Sequence, residues 1–203
     1  MIDDLIYDVG MNDGCDTAYY LQRGYRVVAI EAIPELCAQA ATRFKSAIEQ
    51  QRLTILNVAI SNRSGEAEFW VSNTHPELSS LQPDSFGLSA STARPITVPA
   101  QTFDSILRRY GSPHYLKIDI EGSDQLCLEA LAGNPDRPHY IRCHARMLLS
   151  GIHLTVGKSC YLEHCRRSRL KHAGMTENRS LCPWTVYQSL EAASATLKPI
   201  RIR

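Results

Sequence analysis

The chain has 203 residues, 44% of them hydrophobic and 21% charged, which suits one soluble domain with a sizeable core. No apolar run approaches a membrane span, the acidic start at Asp3 and Asp4 is unlike a signal peptide, and seven cysteines without a CxxC pair point to a reduced cytoplasmic setting. The net charge of +1 hides a split: residues 1–141 carry 11 Lys+Arg against 18 Asp+Glu, net −7, while residues 142–203 carry 11 against 3, net +8.

In chain order, residues 5–9 read as a buried strand that ends in a glycine turn, and residues 16–23 as a helix that Gly24 closes. Residues 25–30 are β-branched and free of turn residues, a second strand ending at Glu31 and Ala32. Pro34 suits a first helical turn, and apolar Leu36, Ala40, Phe44, Ala47 and Ile48 recur at helical spacing, which predicts one helix over 35–50. Residues 53–58 give a third strand, and 66–71 an exposed, alternating one. The polar stretch 72–95 is long for a loop in a compact domain, and loops of that length usually serve function. A short extended piece over 96–100 precedes a helix over 103–110, capped by Thr102 and closed by Gly111. A strand follows over 114–122, then a helix over 124–132 capped by Ser123, and a strand from His139. Strands alternating with helices predict an α/β fold: a doubly wound, mostly parallel Rossmann-like sheet with helices on both faces. The last strands are expected to be incomplete if the tail cannot supply them.

The strand, glycine turn and helix start over residues 6–21 form the ligand-binding corner of such a fold. A dinucleotide fingerprint reads Gly-x-Gly-x-x-Gly, but here Gly10 and Gly14 are separated by three residues and Asn12 replaces the middle glycine. Asp13 and Asp16 crowd the helix start, where they repel a pyrophosphate and favour a cation. S-adenosylmethionine, with an ammonium, a sulfonium and no phosphate, fits those charges. Helix capping is the plainer use of the same aspartates. Glu31 at the end of the second strand suits ribose hydroxyls, with Ala32 beside it. Val58, Ala59 and Ser61 close the third strand where an adenine ring would lie, though a plain strand end reads the same way.

The second informative stretch is 116–122, Leu-Lys-Ile-Asp-Ile-Glu-Gly. Alternation puts Lys117, Asp119 and Glu121 on one face of what the flanking helices make a central strand. Asp119 or Glu121 is the candidate base for a hydroxyl acceptor, and Lys117 is placed to pair with them or orient the acceptor. Two carboxylates so spaced also suit a divalent metal, but no third ligand is evident, so no metal is assigned.

These stretches, DVGMNDGCDTAYYL, RVVAIEAIPELC, LNVAISNRSGEAEFW, VPAQTFDSIL and YLKIDIEG, resemble in order and kind the FkbM-type methyltransferases, over about residues 2–141. The resemblance implies a class I, S-adenosylmethionine-dependent O-methyltransferase of a sugar or secondary metabolite. Asp8, Gly10, Asn12, Gly14 and Glu31 would hold the cofactor, together with Thr17 in the first turn of the helix. The triplet Ser79-Ser80-Leu81 is also typical, so His75, Ser79 and Ser80 become candidate acceptor contacts in a covering loop over 72–92. The expected partner is a small hydroxylated molecule, with neither membrane nor nucleic acid. A nucleotide-dependent oxidoreductase and an inactive remnant or binding module are the alternatives.

After Ile141 the composition turns basic and rich in Cys and His, so residues 1–141 are expected to form the core and 142–203 a divergent, less ordered tail. A shifted reading frame or diverged end explains the joint change in charge, cysteine and pattern. A substrate cap is the second reading. A zinc site from Cys160, His164, Cys165 and Cys182 is the third, although its spacings match no familiar finger.

Overall fold

The computed structural model describes residues 1–143, apart from residues 133 and 135 and the side chains of residues 85 and 86. The tail readings, the zinc ligands among them, concern residues outside this range.

Five parallel strands make the main sheet: β1 (Ile2–Val9), β2 (Arg26–Glu31), β3 (Leu53–Asn57), β7 (Pro113–Ile118) and β8 (Tyr140–Cys143). Their order is β3-β2-β1-β7-β8, so the chain reverses its direction of travel between β1 and β7. That is the topological switch point, where the carboxyl ends of open α/β sheets leave a crevice. A smaller sheet of order β4-β6-β5 combines β4 (Ala59–Ile60), β5 (Gly65–Ser72) and β6 (Ala93–Gln101).

Alternation along the strands sorts the core. Leu5, Tyr7, Val9, Val28, Ile30, Leu116 and Ile118 face helices α4 (Phe103–Tyr110) and α5 (Asp124–Ala132), meeting Phe103, Ile106, Cys127 and Leu128. Ile6, Val27, Ala29 and Leu53 face the opposite way, against Tyr20 and Leu21 of α1 (Cys15–Gln22) and Ala40 of α2 (Pro34–Arg43). Helices therefore cover both faces, as alternating strands and helices require. Thr102 caps α4 as read from sequence, accepting the Ser105 amide.

Four boundaries differ from the sequence reading. The helix over 35–50 is two helices, α2 and α3 (Lys45–Glu49), parted at Phe44. There the ring turns against Gly14, where an added Cβ would come within 2.8 Å of it, and Arg43 lies over the same ring at 4.8 Å. The third strand ends at Asn57, and the chain passes to the small sheet within one residue, Val58. The extended piece at 96–100 belongs to a longer strand that begins at Ala93 and pairs antiparallel with β5 throughout. Strand β7 stops at Ile118, so Asp119 and Glu121 stand in the turn beyond it. Its neighbours are β1 and β8, which makes it an interior strand.

Candidate functional site

The carboxyl end of β1 holds a buried charge network. Asp8 is fully buried; its Oδ2 accepts from the Thr17 hydroxyl at 2.6 Å and its Oδ1 from Lys117 Nζ at 3.0 Å. Asp8 and Lys117 are register partners across β1 and β7, so their side chains leave the sheet side by side toward α1. Lys117 Nζ also donates to the Gly10 carbonyl at 2.6 Å and lies 3.6 Å from Asp16 Oδ2. Burial works against the lysine's charge, but Asp8, Asp119 and Asp16 outweigh it and raise the ammonium above the ordinary lysine range. Lys117 is thus a cation of the corner, bonded to Asp8 rather than turned toward an acceptor.

Gly10, with φ 81, sits where a Cβ would come within 2.0 Å of the Asp119 carbonyl. The close neighbour is the end of β7, whose Asp119 amide donates in turn to Val9 O at 2.9 Å. Gly14, at φ 74, caps α1 without a side chain. Asp13 Oδ1 accepts the Cys15 amide, the first of α1, and sets a carboxylate at the helix start.

Glu31 extends the row onto β2. It is 8% exposed, and its carboxylate bridges two backbone amides, Asn12 at 2.8 Å and Ile33 at 2.9 Å. Burial raises its pKa, against the pull of those amides and of Lys117. Asn12 reaches this bond in a left-handed conformation, φ 51. The Asn57 side-chain amide donates to both Glu31 O and Ala32 O, so Ala32 is held by its carbonyl. Val58 packs in the large core cluster and Ala59 under the small sheet. Ser61 lines an open polar cleft of about 430 Å³ shared with Asn62, Arg63, Glu66, Ala67, Glu68 and Leu81, to one side of the charged corner.

The turn carrying Asp119 and Glu121 is fastened from two sides. Asp124, 2% exposed, accepts the Ile120 amide at 3.3 Å, and Glu121 and Gly122 both take positive φ, 38 and 94. Ser80 is fully buried and donates its hydroxyl to Glu121 O at 2.7 Å, while Gln82 Nε2 donates to Gly122 O at 3.0 Å. Ser80 also pairs both ways with the Trp70 backbone, and Ser79 Oγ accepts the Ser72 amide. Both hydroxyls fasten the segment over 73–92 to the protein. His75 is exposed, 3.3 Å from Glu77, on the outer part of that segment.

Sequence reasoning missed three members of this arrangement. Asp124 reads as an ordinary residue after a helix cap. Gln82 carries no motif. Arg142 falls just beyond the expected domain boundary, yet it is the register partner of Lys117 on β8. Alternation from Ile141, which enters the core, was the available signal for it.

The donor set suits a ligand with positive charge. Asp8, Asp16, Asp119 and Glu31 gather about three strand ends and a helix start, against Lys117, which Asp8 already engages, and Arg142 on β8. Among the described residues, no group of three or more His, Cys, Asp or Glu is placed to hold a metal ion, and no helix is long and apolar enough to cross a membrane.

An open α/β sheet with acidic side chains at its switch point belongs to the class of folds that bind ligands in the crevice outside the carboxyl ends of their strands. The chain belongs to the methyltransferase FkbM domain family, whose pattern matches residues 8–168. The match runs past Ile141, where the resemblance of motifs ends. Among solved structures the chain is similar to the methyltransferase FkbM from Methylobacillus flagellatus KT, at 16% identity and a TM-score of 0.42. That likeness covers 64% of this chain and 29% of the other, so this chain spans under a third of its length. No curated protein matches.

Proposed function

We propose that the protein is an S-adenosylmethionine-dependent O-methyltransferase acting on a hydroxyl of a small molecule such as a sugar or secondary metabolite. The observation that carries this reading is the acidic crevice at the switch point, in a chain of a methyltransferase family. When bound, the cofactor supplies an activated methyl group on a sulfonium. The chain's own residues hold, orient and accept a proton.

Gly10, Asn12 and Gly14 shape the loop, while Asp8, Thr17 and Lys117 fix it from beneath. Lys117 does so directly, through the Gly10 carbonyl. Glu31 offers the lone pairs its two amides leave over to ribose hydroxyls, and its bond to Asn12 sets the distance between ribose and loop. Val58, Ala59 and Ser61 border the adenine end. Asp119 or Glu121, on the turn beyond β7, receives the acceptor's proton. Ser80 and Ser79 hold the covering segment against that turn, and His75 lies at its outer edge. The cytoplasm is the proposed setting.

Calorimetric titration with S-adenosylhomocysteine and with NAD tests the reading. Heat with the first and none with the second is expected. No heat with S-adenosylhomocysteine overturns the proposal, and heat with NAD alone would mark an oxidoreductase. Binding without turnover on any of a panel of hydroxylated acceptors would mark a binding module.

A further inference from the structure

The strand next to the switch point, β8, carries a charge that the motifs do not contain. Arg142 on β8 is the register partner of Lys117, and Lys117 is the register partner of Asp8. Ile141 belongs to the core cluster beneath α4 and α5, and Cys143 packs against it. Alternation therefore places Arg142 on the other face, with Asp8, Lys117 and α1. Its charge acts on Asp16 of α1, a carboxylate 21% exposed and 3.6 Å from Lys117 Nζ. Asp16 thus shares this face with cations from two neighbouring strands, Lys117 at 3.6 Å and Arg142 on the strand beyond it.

Stability gives little reason for this arrangement. Lys117 already compensates Asp8 through a 3.0 Å bond. Beside the Asp8–Lys117 pair, the described residues bring both signs of charge to this end of the sheet: the carboxylates of Asp16 and Asp119 and the guanidinium of Arg142. The methionyl end of S-adenosylmethionine carries the complement: a sulfonium, an α-ammonium and an α-carboxylate. Glu31 and Arg142 lie three strands apart, roughly 14 Å at the usual strand spacing. An extended methionyl tail and the reach of an arginine together span that distance from a ribose held at Glu31.

We propose that Arg142 and Asp16 form the amino-acid subsite of the methyl donor, Arg142 taking the α-carboxylate and Asp16 the α-ammonium. This rests on the donor being S-adenosylmethionine, as proposed above. It assigns a binding role to a strand beyond the recognised motifs, and it makes β8 part of the site rather than the start of a divergent tail. A guanidinium suits this position because its planar fork grips a carboxylate with two parallel bonds.

The test compares two ligands on the full chain. S-adenosylhomocysteine has the amino-acid end; 5′-methylthioadenosine keeps the adenosine and thioether without it. Arg142→Ala should weaken S-adenosylhomocysteine by about tenfold or more and leave methylthioadenosine unchanged, with Arg142→Lys recovering part of the loss. Asp16→Asn, an isosteric change on a partly exposed helix turn, should give the same split and covers the case in which Arg142→Ala fails to fold. Unchanged affinity for S-adenosylhomocysteine in both variants overturns the subsite. So does an equal loss for both ligands, which marks a structural role. If the unaltered chain binds neither ligand, the donor reading itself falls and takes the subsite with it.

Discussion

Helix α1 meets the carboxyl end of β1 through charge that water scarcely reaches, whereas the segment over 73–92 meets the same end of the sheet through hydroxyls and one side-chain amide. In the first region Asp8 and Thr17 are fully buried and each bond has a charged or nearly charged partner. In the second, Ser80 is buried, but His75, Glu77 and most of its neighbours are open to water. The corner is therefore specified by ion compensation and close backbone approach, and the segment by a few neutral bonds at its root. The first arrangement fixes one geometry; the second leaves the outer residues free to vary. The two regions join at one turn, where Ser80 and Gln82 hold the carbonyls of Glu121 and Gly122.

The comparison breaks hardest at Lys117. Lys117→Met leaves Asp8 buried without its cation and should cost about 3–5 kcal/mol, read as a shift in the urea midpoint. Recovery of part of that loss in Asp8→Asn/Lys117→Met would show that the uncompensated charge, and not lost packing, is the cause. Gly10→Ala should cost about 3 kcal/mol, combining a left-handed backbone with overpacking against the Asp119 carbonyl. Gly24→Ala is the control: its φ is 91 but nothing lies within 4 Å of the added Cβ, so only the backbone cost of about 1–2 kcal/mol remains. Equal losses at the two glycines would mean that the close approach to Asp119 is unimportant.

Smaller effects sharpen the contrast. Ser80→Ala removes the donor to Glu121 O and the acceptor of the Gln82 amide, at about 1–3 kcal/mol. Hydrogen exchange should quicken at residues 119–122 and stay unchanged in α1. Asp16 separates stability from binding. Burial raises its pKa above the ordinary 3.8, with Lys117 and Arg142 opposing the rise and Asp8 and Asp119 adding to it. A carboxyl raised on folding adds stability at low pH that is lost as the pH climbs through the raised value. Asp16→Asn should therefore raise the unfolding midpoint at neutral pH by about 1 kcal/mol or less, an advantage that shrinks on acidification. Smallest of all, His75→Ala should change stability by less than about 0.5 kcal/mol, as expected of an exposed pair.

Where periodicity and residue type both speak, the sequence is legible: the strand β1, its glycine turn, α1, and the Thr102 cap of α4 all stand where pattern places them. What pattern could not show lies in contacts between distant segments. Phe44 has helical spacing with its neighbours, but its ring is claimed by Gly14, thirty positions earlier, and the helix parts there. The strand reading through Glu121 follows the alternation of Lys117, Asp119 and Glu121; the chain leaves the sheet after Ile118 and turns at Glu121, whose left-handed conformation its residue type does not announce. Ser79 and Ser80 were visible as a pair, but hydroxyls bonded to backbone and hydroxyls facing a ligand look alike in a sequence. Arg142 was hidden by the change of composition around it, although Ile141 before it marks the inward face of the same strand.

The passage from β3 to β4 has a consequence for how the chain tolerates length. Asn57 ends one sheet with its side chain tied to Glu31 O and Ala32 O, and Ala59 begins the other as the register partner of Ala100. A single residue, Val58, spans the change, and it is itself buried in the core. One inserted residue here would turn Ala59 and Ile60 over to the opposite face, since a strand repeats every two positions. An insertion between Asn73 and Thr74, in the exposed segment, would meet no such alternation. The outer segment is thus where this chain tolerates added length, and the joint at Val58 is the place where the same growth would disturb the fold.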